Sequence, residues 1–253
     1  MQLYPLETLK DSVLPLCHGY ENPIKSIKVT LGNSLIFRYR EKVWLLTCRH
    51  LMEEVWGENM VKSVMLTRET NYFLMWKEEK NLLYHPADQE RQTLDLALYY
   101  FGEADQLENE SDLWDAEEAY AEQRLAENDP LKILGIRSEQ MTPESVVSSN
   151  PLQVEELDAV YLKNTLSVSP EDYEGQLVNQ QVAQVNKKQL MELSGGLVAA
   201  GGPGEWYPRG LITGAGTVTV QKSRDAAPQE VGIYTYTDFS YLNEMLNSVQ
   251  QKG

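Results

Sequence analysis

The sequence is poor in cysteine, in histidine and in positive charge, and each shortage closes off a class of protein. Two cysteines, Cys17 and Cys48, are too few for the dense disulfide frameworks of secreted domains, so a reducing, cytoplasmic setting is expected. The three histidines, His18, His50 and His85, have no Cys or His partners at zinc-ligand spacing, so no metal is expected. The 22 Lys and Arg face 38 Asp and Glu, a formal net charge of -16. Such a field repels a phosphate backbone and makes nucleic acid a poor partner. No run approaches the ~20 apolar residues of a membrane span. The opening MQLYPLETLKDSVLPLC lacks the basic start and apolar core of a signal peptide. No glycine loop of the phosphate-cradling kind occurs, GGPG at 201–204 reads as a turn, and no organic cofactor is expected.

What remains is ordinary globular material, 42% hydrophobic over 253 residues, enough for one large domain or two compact halves. The first hundred residues are punctuated by short β-like runs: SIKVT at 26–30, SLIFRYR at 34–40, VWLLT at 43–47, VKSVMLT at 61–67, NYFLMW at 71–76 and LDLALYY at 94–100. Glu41-Lys42 between the second and third reads as a hairpin turn. Residues 103–129 then hold eleven Asp or Glu and a single Arg124. Within them SDLWDAEEAYAEQRLAEN at 111–128 is rich in good helix formers and reads as a solvated helical linker. A second β-rich half follows, with LKILGI at 131–136, LDAVYLK at 157–163, QLVNQQVAQV at 176–185, GLVAA at 196–200, RGLITG at 209–214, TVTV at 217–220 and VGIYTYT at 231–237. In the tail, Phe239, Leu242, Met245 and Leu246 recur at helical spacing.

Three positions carry chemistry jointly. His50 ends VWLLTCRH, where a strand delivers an imidazole to a loop. Asp95 opens LDLAL between apolar neighbours, and a buried carboxylate is costly unless a hydrogen-bond donor faces it. Ser194 precedes Gly195 and Gly196 in MELSGGLVAA, and glycines beside a serine permit a tight turn with an exposed hydroxyl. Each taken singly has an ordinary alternative: a structural histidine, a turn-capping aspartate, a glycine loop between strands. Cys48 lies two residues before His50 on the same strand end, poor geometry for a nucleophile, and reads as a small buried residue.

Taken together and in this order, these segments resemble the chymotrypsin/trypsin-like serine peptidase family over roughly residues 25–237. TCRH is similar to the family's T-A-x-H, LDLAL to its acid strand D-I/L-A-L, and LSGGLV to its G-x-S-G-G-P-V. Farther on, GLITGAG at 210–216 resembles the strand that binds the substrate backbone, and VGIYT at 231–235 resembles the family's P-G-V-Y.

The resemblance implies an all-β fold of two six-stranded antiparallel barrels. Residues 1–102 would form the first barrel with an N-terminal extension, 103–130 the acidic linker, 131–237 the second barrel and 238–253 a C-terminal helix. It implies a catalytic triad of His50, Asp95 and Ser194, and an oxyanion hole built from the backbone N–H groups of Ser194 and Glu192. It places Thr213 beside the acid, Gly214 and Ala215 along the substrate, Gly232 on the pocket wall and Lys188 at the pocket base, where it would favour an acidic or polar side chain. The implied partner is a protein or peptide substrate.

The chain departs from the family at two places. Glu192 stands where the family has glycine, which hinders the backbone conformation an oxyanion donor requires and brings a carboxylate of the wrong sign. A hole malformed at rest and ordered by substrate or by an activating protein partner is therefore expected. Leu193 stands where secreted members carry the aspartate that pairs with a freshly cut N-terminus, so no zymogen activation is expected. Two other readings use the same residues: an inactive peptidase-fold module that binds a protein, and an esterase acting on small acyl esters.

Overall fold

The computed structural model describes residues 2–19, 29–56, 62–66, 73–75, 82–85, 94–103, 113–119, 124–141, 152–162, 180–220 and 227–250. The N-terminal half carries β1 (Val13–Gly19), β2 (Val29–Tyr39), β3 (Lys42–Cys48), β4 (Lys62–Leu66), β5 (Phe73–Met75), β6 (Leu82–Tyr84) and β7 (Leu96–Glu103). They lie side by side in the order β5-β4-β1-β2-β3-β7-β6. The C-terminal half carries β8 (Pro130–Gly135), β9 (Glu155–Leu162), β10 (Gln180–Val185), β11 (Leu197–Gly202), β12 (Glu205–Val220) and β13 (Gln229–Asp238). These close into a six-stranded barrel in the order β10-β13-β12-β11-β8-β9.

Of the two expected barrels, the one in the second half is closed. The first is a seven-stranded sheet, and no pairing of β5 with β6 closes it among the described residues. Each edge strand has three residues and offers few ladder bonds. Strand β1 escaped the sequence reading because Pro15 interrupts it. Among the described residues β1 pairs with β4 only from Leu16 onward, and the strand neighbour of Pro15 there is Asn33 of β2. The hairpin turn between β2 and β3 is shifted by one residue from its expected place. Tyr39 pairs with Lys42, leaving Arg40 and Glu41 as a two-residue turn with φ of 50° and 51°. Both central residues are left-handed, the type I′ geometry that matches strand twist, but neither is the Gly or Asn that would advertise it.

The two expected strands at 209–214 and 217–220 are one strand, β12, whose register with β13 shifts between Ile212 and Gly214. The tail is helical over Phe239–Gln250 as its periodicity requires, and Phe239, Leu242, Met245 and Leu246 are all buried. Two helices carry no strong sequence signal, Leu6–Asp11 and Arg49–Trp56. In the acidic stretch, a helix forms only over Ala116–Ala119 among the described residues; 104–112 and 120–123 lie outside them, as do 20–28 and 163–179, which cover parts of three expected strands. The described part of the stretch also contributes a packed anchor. Trp114, 1% exposed, stacks between Phe37 (ring centroids 4.8 Å) and Phe239 (5.7 Å). The N–H of Arg38 donates to the Trp114 carbonyl (3.0 Å), and Arg38 Nε bonds Asp115 Oδ2 (3.1 Å). Burying an indole gains more than helix propensity, whose differences are a few tenths of a kcal/mol per residue.

Strands β8, β11 and β12 serve two cores at once, which is why they read as continuous apolar runs. Val198 and Ala200 of β11 point into the barrel with Ile133, Ile212, Tyr234 and Tyr236. Leu197 and Ala199 point the other way and join Leu134, Leu211, Leu35, Phe37 and Leu45 at the seam with the first sheet. Period-two alternation with both faces buried thus packs the two halves along a shared seam.

Candidate active site

His50 lies two residues past Cys48, the end of β3, and Asp95 immediately precedes β7. Because β3 and β7 are antiparallel with Cys48 opposite Leu96, the two residues are delivered to the same end of the sheet. Asp95 is held in the left-handed region, φ 56°, a conformation tolerated by Asp better than by most side chains. Its carbonyl accepts the N–H of Arg49 (3.0 Å), and its Oδ1 accepts the backbone N–H of His50 (2.9 Å). Its Oδ2 stands 2.6 Å from His50 Nδ1. The carboxylate is thus oriented before it meets the ring. With Nδ1–H donating to Asp95 Oδ2, the neutral ring carries its lone pair on Nε2. The Asp95 side chain is 16% exposed and that of His50 42%, the pattern of a shielded acid behind an accessible base. From the other half, the Thr237 hydroxyl donates to the Leu94 carbonyl (2.5 Å) and pins the acid's loop.

Ser194 and Gly195 form a turn before β11. Both following glycines are compelled by space. Gly195 has φ 82°, and a Cβ there would fall 1.9 Å from the Asn33 carbonyl oxygen. A Cβ on Gly196 would fall 2.6 Å from the Leu134 carbonyl oxygen. The N–H of Gly195 donates to the Ile212 carbonyl (2.8 Å), that of Gly196 to the Leu193 carbonyl (2.8 Å), and Gly196 accepts the N–H of Ile212 (2.9 Å). The carbonyl of Ser194 accepts the N–H of Asn33 (2.8 Å). Among the described residues, the N–H and hydroxyl of Ser194 hold no hydrogen bond.

The serine turn and the histidine strand meet on one atom. The Ile212 carbonyl oxygen accepts both the Gly195 N–H and the Cys48 thiol (3.1 Å). A second tie runs through Asn33, whose carbonyl accepts the Thr47 hydroxyl (2.7 Å) while its N–H holds Ser194. Cys48 is fully buried and is a free thiol. Burial pushes it well above the usual thiol range, and the neighbouring Asp95 carboxylate adds to the shift. It fills space behind the acid in its thiol form. Cys48, His50 and Asp95 also present a sulfur, a ring nitrogen and a carboxylate oxygen within 4.8 Å of one another. A cation there would have to displace the thiol proton and part the 2.6 Å His50–Asp95 bond.

Glu192 is exposed, two residues ahead of Ser194. Its neighbour Met191 is clasped by Tyr234, whose hydroxyl accepts the Met191 N–H (3.1 Å) and donates to the Met191 carbonyl (2.9 Å). Thr213 sits at the register shift of β12, and its hydroxyl donates to the Thr235 carbonyl (3.3 Å). Gly214 and Ala215 pair with Thr235 and Tyr234 of β13 on one edge. On the other edge β12 pairs with β11 only through Leu211, so from Thr213 onward that edge has no strand neighbour among the described residues. Such an edge is a template for an extended peptide. Gly232 is buried beneath the turn Lys187–Gln189; a Cβ there would fall 3.2 Å from Lys187 Cα. Lys188 is exposed on that turn, which Asn186 caps by accepting the Lys188 N–H on its Oδ1 (3.0 Å), and Lys187 pairs with Glu230 (2.5 Å). Asn33 and Tyr234 are the two side chains that sequence reading passed over. Asn33 had a signal, a polar side chain inside the apolar run LGNSLIF.

Among the described residues, no helix is long and apolar enough to cross a membrane. No protein-family model and no curated protein matches the chain. Solved structures do. The chain is similar in fold to a thermostable serine protease from an extremophilic microorganism, at 10% identity and TM-score 0.60, covering 97% of this chain and 100% of that one. It is similar to an inactivated protease paralogue from the scabies mite, at 12% identity and TM-score 0.56, over 97% of this chain and 96% of that one. A third likeness is to the protease Anisep from Arthrobacter nicotinovorans, at 12% identity and TM-score 0.52, over 90% of each chain. The chain therefore has the chymotrypsin-like serine protease fold.

Proposed function

We propose that the chain is a trypsin-like serine endopeptidase that hydrolyses peptide bonds of a protein substrate through an acyl-enzyme on Ser194, with no metal or organic cofactor. The observation that carries this reading is the shared Ile212 carbonyl. It brings the Ser194 turn against the strand that presents an aspartate-bound imidazole.

Ser194 Oγ attacks the scissile carbonyl carbon as its proton passes to His50 Nε2. The C–N bond then breaks, and the leaving amine takes that proton. Water attacks the acyl ester, again losing a proton to Nε2. The ester C–O bond breaks, and Ser194 Oγ recovers the proton as the acid product departs. Asp95 fixes the ring tautomer and stabilises the imidazolium. The N–H groups of Ser194 and Glu192 hold the oxyanion. Thr213, Gly214 and Ala215 offer to the substrate backbone the edge that has no strand neighbour among the described residues, Gly232 lines the pocket, and Lys188 attracts an acidic or polar side chain. The free, buried Cys48 suits a cytoplasmic, reducing setting. Cleavage-site profiling of a proteome tests the reading. New termini should arise with wild type and vanish with Ser194→Ala; identical profiles would end it.

Glu192 favours a second reading, a peptidase-fold module that is inactive or switched on by a protein partner. A non-glycine donor position raises the cost of forming the oxyanion hole. Glu192→Gly divides this second reading, since a dormant hydrolase gains activity and a binding module does not.

A further inference from the structure

We propose that Asn33 is a positioning residue that sets the place of the Ser194 peptide by clasping it to the seam of the two halves; the catalytic part of this proposal rests on the hydrolytic reading above. Asn33 is 1% exposed, a cost that a side-chain amide bears only when its bonds are met. They are met across the seam. Its Oδ1 accepts the N–H of Ile136 (2.7 Å) and its Nδ2 donates to the Ile136 carbonyl (3.1 Å), so the amide grips one residue of the second half at both backbone groups. The same Nδ2 reaches the Ser194 carbonyl (3.3 Å), which the Asn33 backbone N–H also holds (2.8 Å). These contacts span 103 and 161 residues of chain.

The Asn33 backbone is itself fixed. Its carbonyl accepts the Thr47 hydroxyl (2.7 Å), three residues before His50, and lies where a Gly195 Cβ would intrude. One residue therefore connects the strand that delivers the imidazole, the turn that delivers the hydroxyl and the end of β8. An asparagine is needed rather than an isostere. Oδ1 faces a donor while Nδ2 faces two acceptors, and only a primary amide supplies both at this length. A misplacement of ~1 Å at a reacting group costs on the order of 10²-fold in rate, so loosening this clasp should appear in kcat.

The test uses Asn33→Asp, which keeps volume and the acceptor for Ile136 but turns a carboxylate toward two carbonyls, and Asn33→Ala as a second variant should the first fail to fold. Amide hydrogen exchange is read at Gly195 and Gly196, with Ala183 and Tyr236 of the barrel as distant references. Protection should fall at the serine turn and hold at the references; unchanged protection at the turn overturns the proposal. In turnover, kcat should fall about 10- to 100-fold with KM within threefold. The deficit of Asn33→Asp relative to wild type should shrink as pH drops, because the protonated carboxyl regains a donor. A purely structural role would lower the melting temperature and leave that ratio flat, which also overturns it. Absence of turnover and of active-site labelling in wild type would instead sink the hydrolytic reading, leaving the exchange result to decide the clasp alone.

Discussion

Asp95 holds His50 twice, through Oδ2 at 2.6 Å from the ring Nδ1 and through Oδ1, which accepts the His50 backbone N–H at 2.9 Å. The second bond orients the carboxylate independently of the ring. Asp95→Asn should therefore preserve the fold and the place of the loop while putting a donor where the Nδ1 proton must go. The imidazole is left in the wrong tautomer, and kcat should drop about 10⁴-fold with a small change in KM. Steady-state kinetics beside a thermal melt checks this; a loss of stability without loss of kcat contradicts it.

Glu192 is exposed two residues ahead of Ser194, at the position proposed to supply the second oxyanion donor. Glu192→Gly should raise kcat by about 10- to 10³-fold if that donor is poorly placed at rest. Measured with and without a candidate partner, the variant should also lose any dependence on the partner. No gain over wild type argues against a hindered hole.

Cys48 is fully buried between Asp95 and the Ile212 carbonyl, and burial raises its pKa well above the usual thiol value. In the unfolded chain it titrates near its ordinary value of about 8.5. Above that pH the unfolded state sheds a proton that the folded state keeps, so this group's contribution to stability falls as pH rises. Wild type should thus lose stability more steeply above pH ~9 than Cys48→Ala. Native Cys48 should resist iodoacetamide at pH 8 and react on unfolding; rapid native alkylation contradicts its placement.

Trp114 is stacked between Phe37 and Phe239 and is 1% exposed. Trp114→Ala should cost about 3–5 kcal/mol, or a fall of roughly 10 °C in melting temperature. Denaturant unfolding would check it, and a change below about 1 kcal/mol would show that the acidic stretch does not anchor the C-terminal helix.

What could be read from the sequence was local and periodic. The strands of the second barrel were legible because runs such as Leu197–Ala200 must be apolar on both faces, facing the barrel on one side and the seam on the other. The segments bearing His50, Asp95 and Ser194 were legible through short motifs at strand ends. What stayed hidden depended on partners far along the chain. Trp114 looked like part of a helical linker because its ring partners, Phe37 and Phe239, lie at the two ends of the molecule's sequence. The turn at Arg40-Glu41 adopts a glycine-favoured geometry without glycine, so composition could not mark it. Pro15 disguised a strand that, among the described residues, pairs with β4 only from Leu16 onward. Asn33 was a polar residue in an apolar run whose use appears only once Ile136 and Ser194 arrive.

A Ser194 hydroxyl activated as a nucleophile by His50 should react covalently with a fluorophosphonate probe. Intact-mass and peptide mapping should show stoichiometric phosphonylation of Ser194 in wild type, slowed about 10⁴-fold or more in His50→Ala and absent in Ser194→Ala. Modification at equal rates in all three proteins, or an unlabelled Ser194 in folded wild type and in Glu192→Gly alike, would contradict it.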